Sequence, residues 1–252
     1  REGVQMRGAR WALDDRDAGA ALERLAALPH GAARRTLALR IKLKATRLAR
    51  QTQEALDTAR LLGKHRAFSA DAAQSIVRGL AIELINSAHD PSQLQQTWQQ
   101  LEQLERNMPE LAIHAAQRLV NLGGEPAQAR AWLVPVWERM VQLPNALPDH
   151  HALKLVRALE PGLDTLDAAW LARIESAQLA NPRDARLQYL AGVACLKRQL
   201  WGKAQQLLTQ AIPHLTDAGL RASAWRHLAA LAERRNDGEA AAEAWKKAAL
   251  AH

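Results

Sequence analysis

Aromatic residues other than tryptophan are almost missing from this chain, which has one Tyr and one Phe in 252 residues. β-Branched residues are also few, and Ala and Leu dominate the 48% that is hydrophobic. A sheet would have little to pack with, whereas an Ala/Leu-rich chain favours helix throughout. The single cysteine, Cys195, excludes an intrachain disulfide. It falls three residues after Gly192 on the packing face of its expected helix, the place of a buried, inert thiol. No run reaches the ~18 apolar residues that a membrane span needs. Common catalytic motifs are missing as well. There is no His-Glu-x-x-His, Cys-x-x-Cys or Gly-x-Ser-x-Gly, and Gly123-Gly124 reads as a loop because no Gly-Lys-Ser/Thr follows it. His150-His151 is the one adjacent pair among nine His. It lies in a Pro-rich stretch and reads as a solvated turn, since helical ligands recur at i and i+4. No catalytic residue, metal ligand or cofactor is expected.

What is present is a repeat. Gly192, Ala204 and Ala211 are spaced twelve and seven apart, and Ala229, Ala241 and Ala248 keep the same spacings 37 residues later. Small residues at such positions let antiparallel helices approach to ~8 Å. The runs Arg198-Gln199-Leu200-Trp201-Gly202 and Arg235-Asn236-Asp237-Gly238 mark the turns. This pattern resembles the tetratricopeptide repeat, whose period is ~34 residues. The same template fits seven times, over 2–35, 36–70, 71–109, 110–144, 145–183, 184–218 and 219–252. Ala9, Ala21, Leu28, Leu43, Ala55 and Ala129 take template positions, and Trp170 replaces the expected small residue in the fifth hairpin. Asp90-Pro91 reads as a helix start, and Pro135 should kink its helix or cost a hydrogen bond. Pro144, Pro148 and Pro161-Gly162 punctuate the least regular hairpin and place a possible bend near 144–165. The eight Trp are expected as large knobs in an Ala-rich core. The expected fold is all-α: a single domain, 1–252, forming a right-handed superhelical solenoid of about seven antiparallel helix pairs, each completing its core on its neighbours.

Charge is concentrated. Residues 34–66 hold ten Lys/Arg and two Asp/Glu, a net +8 that equals the excess of the whole chain, while the other 219 residues balance. Arg40, Lys44 and Arg47 are spaced four and three apart and share one helix face. In a tetratricopeptide stack that face looks into the concave groove. The corresponding residues of the fourth hairpin are His114, Arg118 and Asn121, with Tyr189 and Arg226 at matching places further on. Two readings stay open: a solvated helix face, or a groove with a basic end that attracts a carboxylate-rich partner segment.

Two stretches carry a narrower resemblance. One is Leu187-Gln188-Tyr189-Leu190-Ala191-Gly192 with Leu200-Trp201-Gly202-Lys203-Ala204. The other is Met108-Pro109-Glu110-Leu111 with Leu122-Gly123-Gly124-Glu125-Pro126-Ala127-Gln128-Ala129. Together with the hairpin order they resemble the C-terminal tetratricopeptide region of the proteobacterial HemY family, which is linked to late haem biosynthesis. The resemblance implies a parent with N-terminal helices in the bacterial inner membrane. This region would then be its soluble domain on the cytoplasmic side, and the opening Arg1-Glu2-Gly3, without Met and inside an expected helix, fits such a fragment. It implies no catalytic motif. The expected function is a non-catalytic scaffold for proteins of haem (protohaem IX) synthesis, whose partners present acidic segments. The alternative is a porphyrin or haem carrier, with propionates at Arg40, Lys44 and Arg47 and Trp or Tyr flanking the ring. Haem ligation by His65, His114 or Cys195 lacks a Cys-Pro or paired-His context. Nucleic acid is not expected as a partner, because charge is balanced outside residues 34–66.

Overall fold

The computed structural model describes residues 1–143 and 146–251, which are helical with no strand among them. The punctuation expected at Pro144 lies outside the described residues. The chain forms two compact units, Arg1–Gly123 and Gly124–His252. The boundary falls between the two helices that the template pairs over 110–144.

The first unit contains α1 (Glu2–Asp14), α2 (Ala18–Ala26), the short α3 (His30–Ala33), α4 (Thr36–Leu48), α5 (Thr52–Lys64), α6 (Ala70–Ser87), α7 (Pro91–Gln100), the short α8 (Gln103–Arg106) and α9 (Pro109–Asn121). The pairs α1/α2 and α4/α5 pack as hairpins, and their small residues Ala9, Ala21 and Ala55 are buried at the contacts. In the third repeat the pairing differs from the template: α6 packs more extensively on α5 than on its own partner α7. The second limb there is split into α7 and α8, and both meet α9.

The second unit contains α10 (Pro126–Gln142), α11 (Asp149–Leu159), a 3-10 turn (Glu160–Thr165), α12 (Ala168–Ala180), α13 (Ala185–Lys197), α14 (Trp201–Ala211), a 3-10 turn (Ile212–His214), α15 (Ala218–Arg234) and α16 (Gly238–Leu250). α13 pairs with α14 and α15 with α16. Ala204, Ala211, Ala229, Ala241 and Ala248 are all buried. Gly192 marks a close approach of α13 to α14: a Cβ there would lie 2.9 Å from Cγ of Leu208 and 3.3 Å from Cβ of Leu207. Pro135 lies inside α10, which continues through it.

One turn recurs in both units. After α1, α4, α5, α13 and α15 the chain passes through a left-handed residue: Arg16, Arg50, Arg66, Gln199 and Asn236, with φ from 53° to 61°. At each, that residue's amide bonds back to the carbonyl three earlier, and the next amide bonds to the carbonyl five earlier, as in Arg50 N to Arg47 O and Gln51 N to Thr46 O. This Schellman closure satisfies carbonyls that the helix end leaves unpaired. Arg16 and Arg50 are 34 residues apart and close α1 and α4 identically. Helix starts are equally explicit. Asp17, Asp90, Asp167, Asp217 and Asp237 each accept a hydrogen bond from the amide three residues on. An aspartate there also complements the positive helix end. Asp90 with Pro91 at the first helical position is the start expected from the sequence.

The tryptophans divide. Trp98, Trp132, Trp137 and Trp170 are buried, and Trp170 meets Trp137 edge-on at 5.9 Å between centroids, filling the place of a small residue with an aromatic pair. The expectation that all are core knobs fails elsewhere: Trp11 is 66% and Trp245 42% exposed. Trp201 and Trp225 are half-buried under the cations of Arg234 (4.3 Å) and Lys247 (4.7 Å). An indole covered by a cation can remain at the surface.

Candidate partner-binding faces

In the first unit the expected groove residues have unequal freedom. Arg40 reaches past α5 and donates to the Ala67 carbonyl at 2.6 Å, with its guanidinium 5.4 Å above the Phe68 ring. Arg118 donates to the carbonyls of Asn86 (3.2 Å) and Ala88 (2.8 Å), so it serves as a cationic cap for the end of α6. His114 Nε2 lies 2.7 Å from the Asn86 side-chain oxygen. Burial, helped by the neighbouring charge of Arg118, lowers its pKa. It is therefore neutral near pH 7, with the Nε2 proton donated to Asn86. Lys44 and Arg47 are exposed on α4.

The fold redistributes the basic excess of residues 34–66. Arg35 pairs with Glu2 (3.2 Å), Lys42 with Glu54 (4.0 Å), Arg60 with Glu105 (2.6 Å) and Lys64 with Glu102 (3.9 Å). Three of these acids come from outside the stretch. Among the described residues this leaves Arg34, Arg40, Lys44, Arg47, Arg50 and Arg66 without an acidic partner. Lys44, Arg47 and Arg50 follow one another through the last turns of α4 and its closing turn.

In the second unit the expectation for Tyr189 is corrected. It is 0% exposed and cannot meet a partner as it stands. Its hydroxyl donates to Glu160 Oε1 at 2.5 Å, and His227 Nε2 lies 3.4 Å from the same oxygen. Arg226 is exposed, donates to Ser223 Oγ at 2.8 Å and adds positive potential at Glu160. Burial, the largest single influence, pushes the Glu160 carboxyl up, but the hydrogen bonds from His227 and Tyr189 together with the charges of His227 and Arg226 outweigh it and hold the net pKa below the usual carboxylate range. Burial and the adjacent carboxylate push the Tyr189 phenol well above its ordinary value. The cause of the correction is the irregular hairpin, whose 3-10 turn packs on α13 and covers its expected groove face. Sequence spacing brought Tyr189 and Arg226 to one place but missed Glu160 and His227, because nothing local to Glu160 marks its reach across 29 residues.

Two other expectations resolve here. His150-His151 is not a solvated turn: both belong to the first turn of α11, where His151 is buried and the ring centroids are 4.0 Å apart. Cys195 is buried, and burial raises its thiol pKa. Among the described residues no three His, Cys, Asp or Glu converge as a metal site, and no helix is long and apolar enough to cross a membrane. Comparison with protein-family models and with curated proteins returns no match.

Proposed function

We propose that this chain is a non-catalytic tetratricopeptide-like solenoid that holds acidic segments of partner proteins on the basic face of its second hairpin. One observation carries the reading. Among the described residues, six cations of residues 34–66 have no acidic partner, and Lys44, Arg47 and Arg50 line the exposed end of α4. A carboxylate-rich segment would complete them, with the Arg forks as bidentate donors. Arg40 ties that hairpin to the turn beyond α5 through the Ala67 carbonyl. The resemblance to the HemY family makes enzymes of late haem synthesis, at the bacterial inner membrane, the first partners to try. It rests on the stretches quoted above. The test is capture from bacterial membranes with the wild-type chain and a Lys44→Glu/Arg47→Glu variant, read by mass spectrometry. The reading expects specific proteins retained by the wild type and lost by the variant; identical recovery overturns it.

A further inference from the structure

Glu160 turns its carboxylate inward onto the side chains of α13 and α15. Tyr189 on α13 and Arg226 on α15 take the positions that the repeat template expects to face a groove, and His227 follows Arg226 in α15. Glu160 places its carboxylate 2.5 Å from the Tyr189 hydroxyl and 3.4 Å from His227 Nε2. A phenol and an imidazole on one carboxylate, with the positive charge of Arg226 acting on it, make a charge-assisted recognition site. The turn that brings Glu160 there breaks the run of α11 at Pro161-Gly162 and is only six residues long. Among the described residues it makes no backbone hydrogen bond to another element. Side chains hold it instead: Tyr189 and His227 at Glu160, Lys197 at Asp164 (2.8 Å), Arg130 at the Gly162 and Thr165 carbonyls, and the buried Leu163. A short 3-10 segment held this way can leave without breaking a backbone ladder.

We propose that Tyr189, Arg226 and His227 form a receptor for a carboxylate of an acidic partner segment, and that the Glu160 turn is its internal occupant, which the partner displaces. The proposal rests on the reading that partners are acidic, but it assigns a second site with its own control. A partner must compete with a tethered carboxylate, so removing that carboxylate raises apparent affinity.

The experiment is fluorescence polarisation with a labelled hexaglutamate peptide and the full chain. Glu160→Ala is expected to bind about tenfold more tightly than wild type, because the competent state no longer has to be freed first. Adding Tyr189→Phe and Arg226→Ala should return affinity to the wild-type level. Glu239→Ala makes the same charge change at an exposed position and should leave affinity unaltered. Glu160→Gln retains the bulk of the turn and should tighten binding by a smaller factor, which keeps the test decisive if Glu160→Ala fails to fold by circular dichroism. Three results each overturn the proposal: no tightening in a folded Glu160 variant, equal tightening in Glu239→Ala, or tightening that survives loss of Tyr189 and Arg226. Repeating the series with Lys44→Glu/Arg47→Glu separates the two readings. If that pair abolishes wild-type binding and Glu160 has no effect, the basic-face reading stands and the receptor falls. If the Glu160 increment persists in that background, the receptor stands by itself.

Discussion

The pair Arg60–Glu105 gives the sharpest stability prediction. Glu105 sits on the short α8, its side chain 4% exposed, and takes two bonds from Arg60: Nη2 at 2.6 Å and Nε at 3.0 Å. Its carboxylate also accepts the Glu102 amide at 2.9 Å, closing the capping box that starts α8. The Arg60 side chain is 14% exposed, and its neighbours hold it protonated; the Glu105 hydrogen bond is the largest influence, opposed by burial. Glu105→Ala leaves a largely buried guanidinium without its main counter-charge. Breaking a buried pair in this way costs ~3–5 kcal/mol. Asp57 at 2.9 Å remains to Arg60, but it is more than half exposed, so the low end, ~3 kcal/mol, is expected. With a urea dependence of ~2 kcal/mol per molar, the midpoint of the first unit's transition falls by ~1.5 M. Replacing both partners, as Arg60→Met/Glu105→Leu, removes both charges and should recover most of the loss. Urea titrations followed by far-UV circular dichroism provide the check. A Glu105→Ala loss under ~1 kcal/mol, or a double variant worse than the single, refutes the reasoning.

Three further outcomes follow from the same geometry. Gly192→Ala and Ala204→Leu should each overpack the α13/α14 crossing by ~1–3 kcal/mol, whereas Ala242→Leu on the exposed face of α16 should change little; thermal melts rank the three. At the left-handed Gln199, Gly should gain up to ~1 kcal/mol and Val should lose a similar amount, so melting temperatures order as Gly, Gln, Val. His114 has a folded pKa below the ordinary 6.5, so the unfolded chain takes up its proton first as pH falls. Its contribution is complete above that value and lost as pH drops through the folded pKa, and His114→Gln should flatten the stability profile there, as pH-dependent urea titrations would report.

Much of the local architecture was readable from spacing. Ala204, Ala211, Ala229, Ala241 and Ala248 recur because each must fit against its own hairpin partner, and that constraint is written within forty residues. Asp90-Pro91 was readable for the same reason, since a cap bonds only three residues away. The closing turns were less so: Arg16, Arg50, Arg66 and Gln199 adopt a backbone usually marked by Gly, and nothing in their identity announces it. The candidate faces were legible only as helix faces. Lys44 and Arg47 stay exposed, since among the described residues no later segment covers them. Tyr189 does not, because Glu160 folds back over α13. Glu105 reaches Arg60 across 45 residues, and Glu2 and Glu102 neutralise cations that charge counting leaves unpaired. Such returns depend on tertiary packing, which a repeat template does not encode.

The central claim is that the free cations at the end of α4 hold an acidic partner. The most direct measurement is the equilibrium affinity of the chain for an acidic peptide across a salt series, with and without Lys44→Glu/Arg47→Glu. Exposed charges are screened within ~8 Å at physiological salt, so wild-type affinity should fall steadily as salt rises. The reversed variant should bind weakly throughout while keeping its helicity. Salt-independent binding, left unchanged by the reversal, would contradict the account.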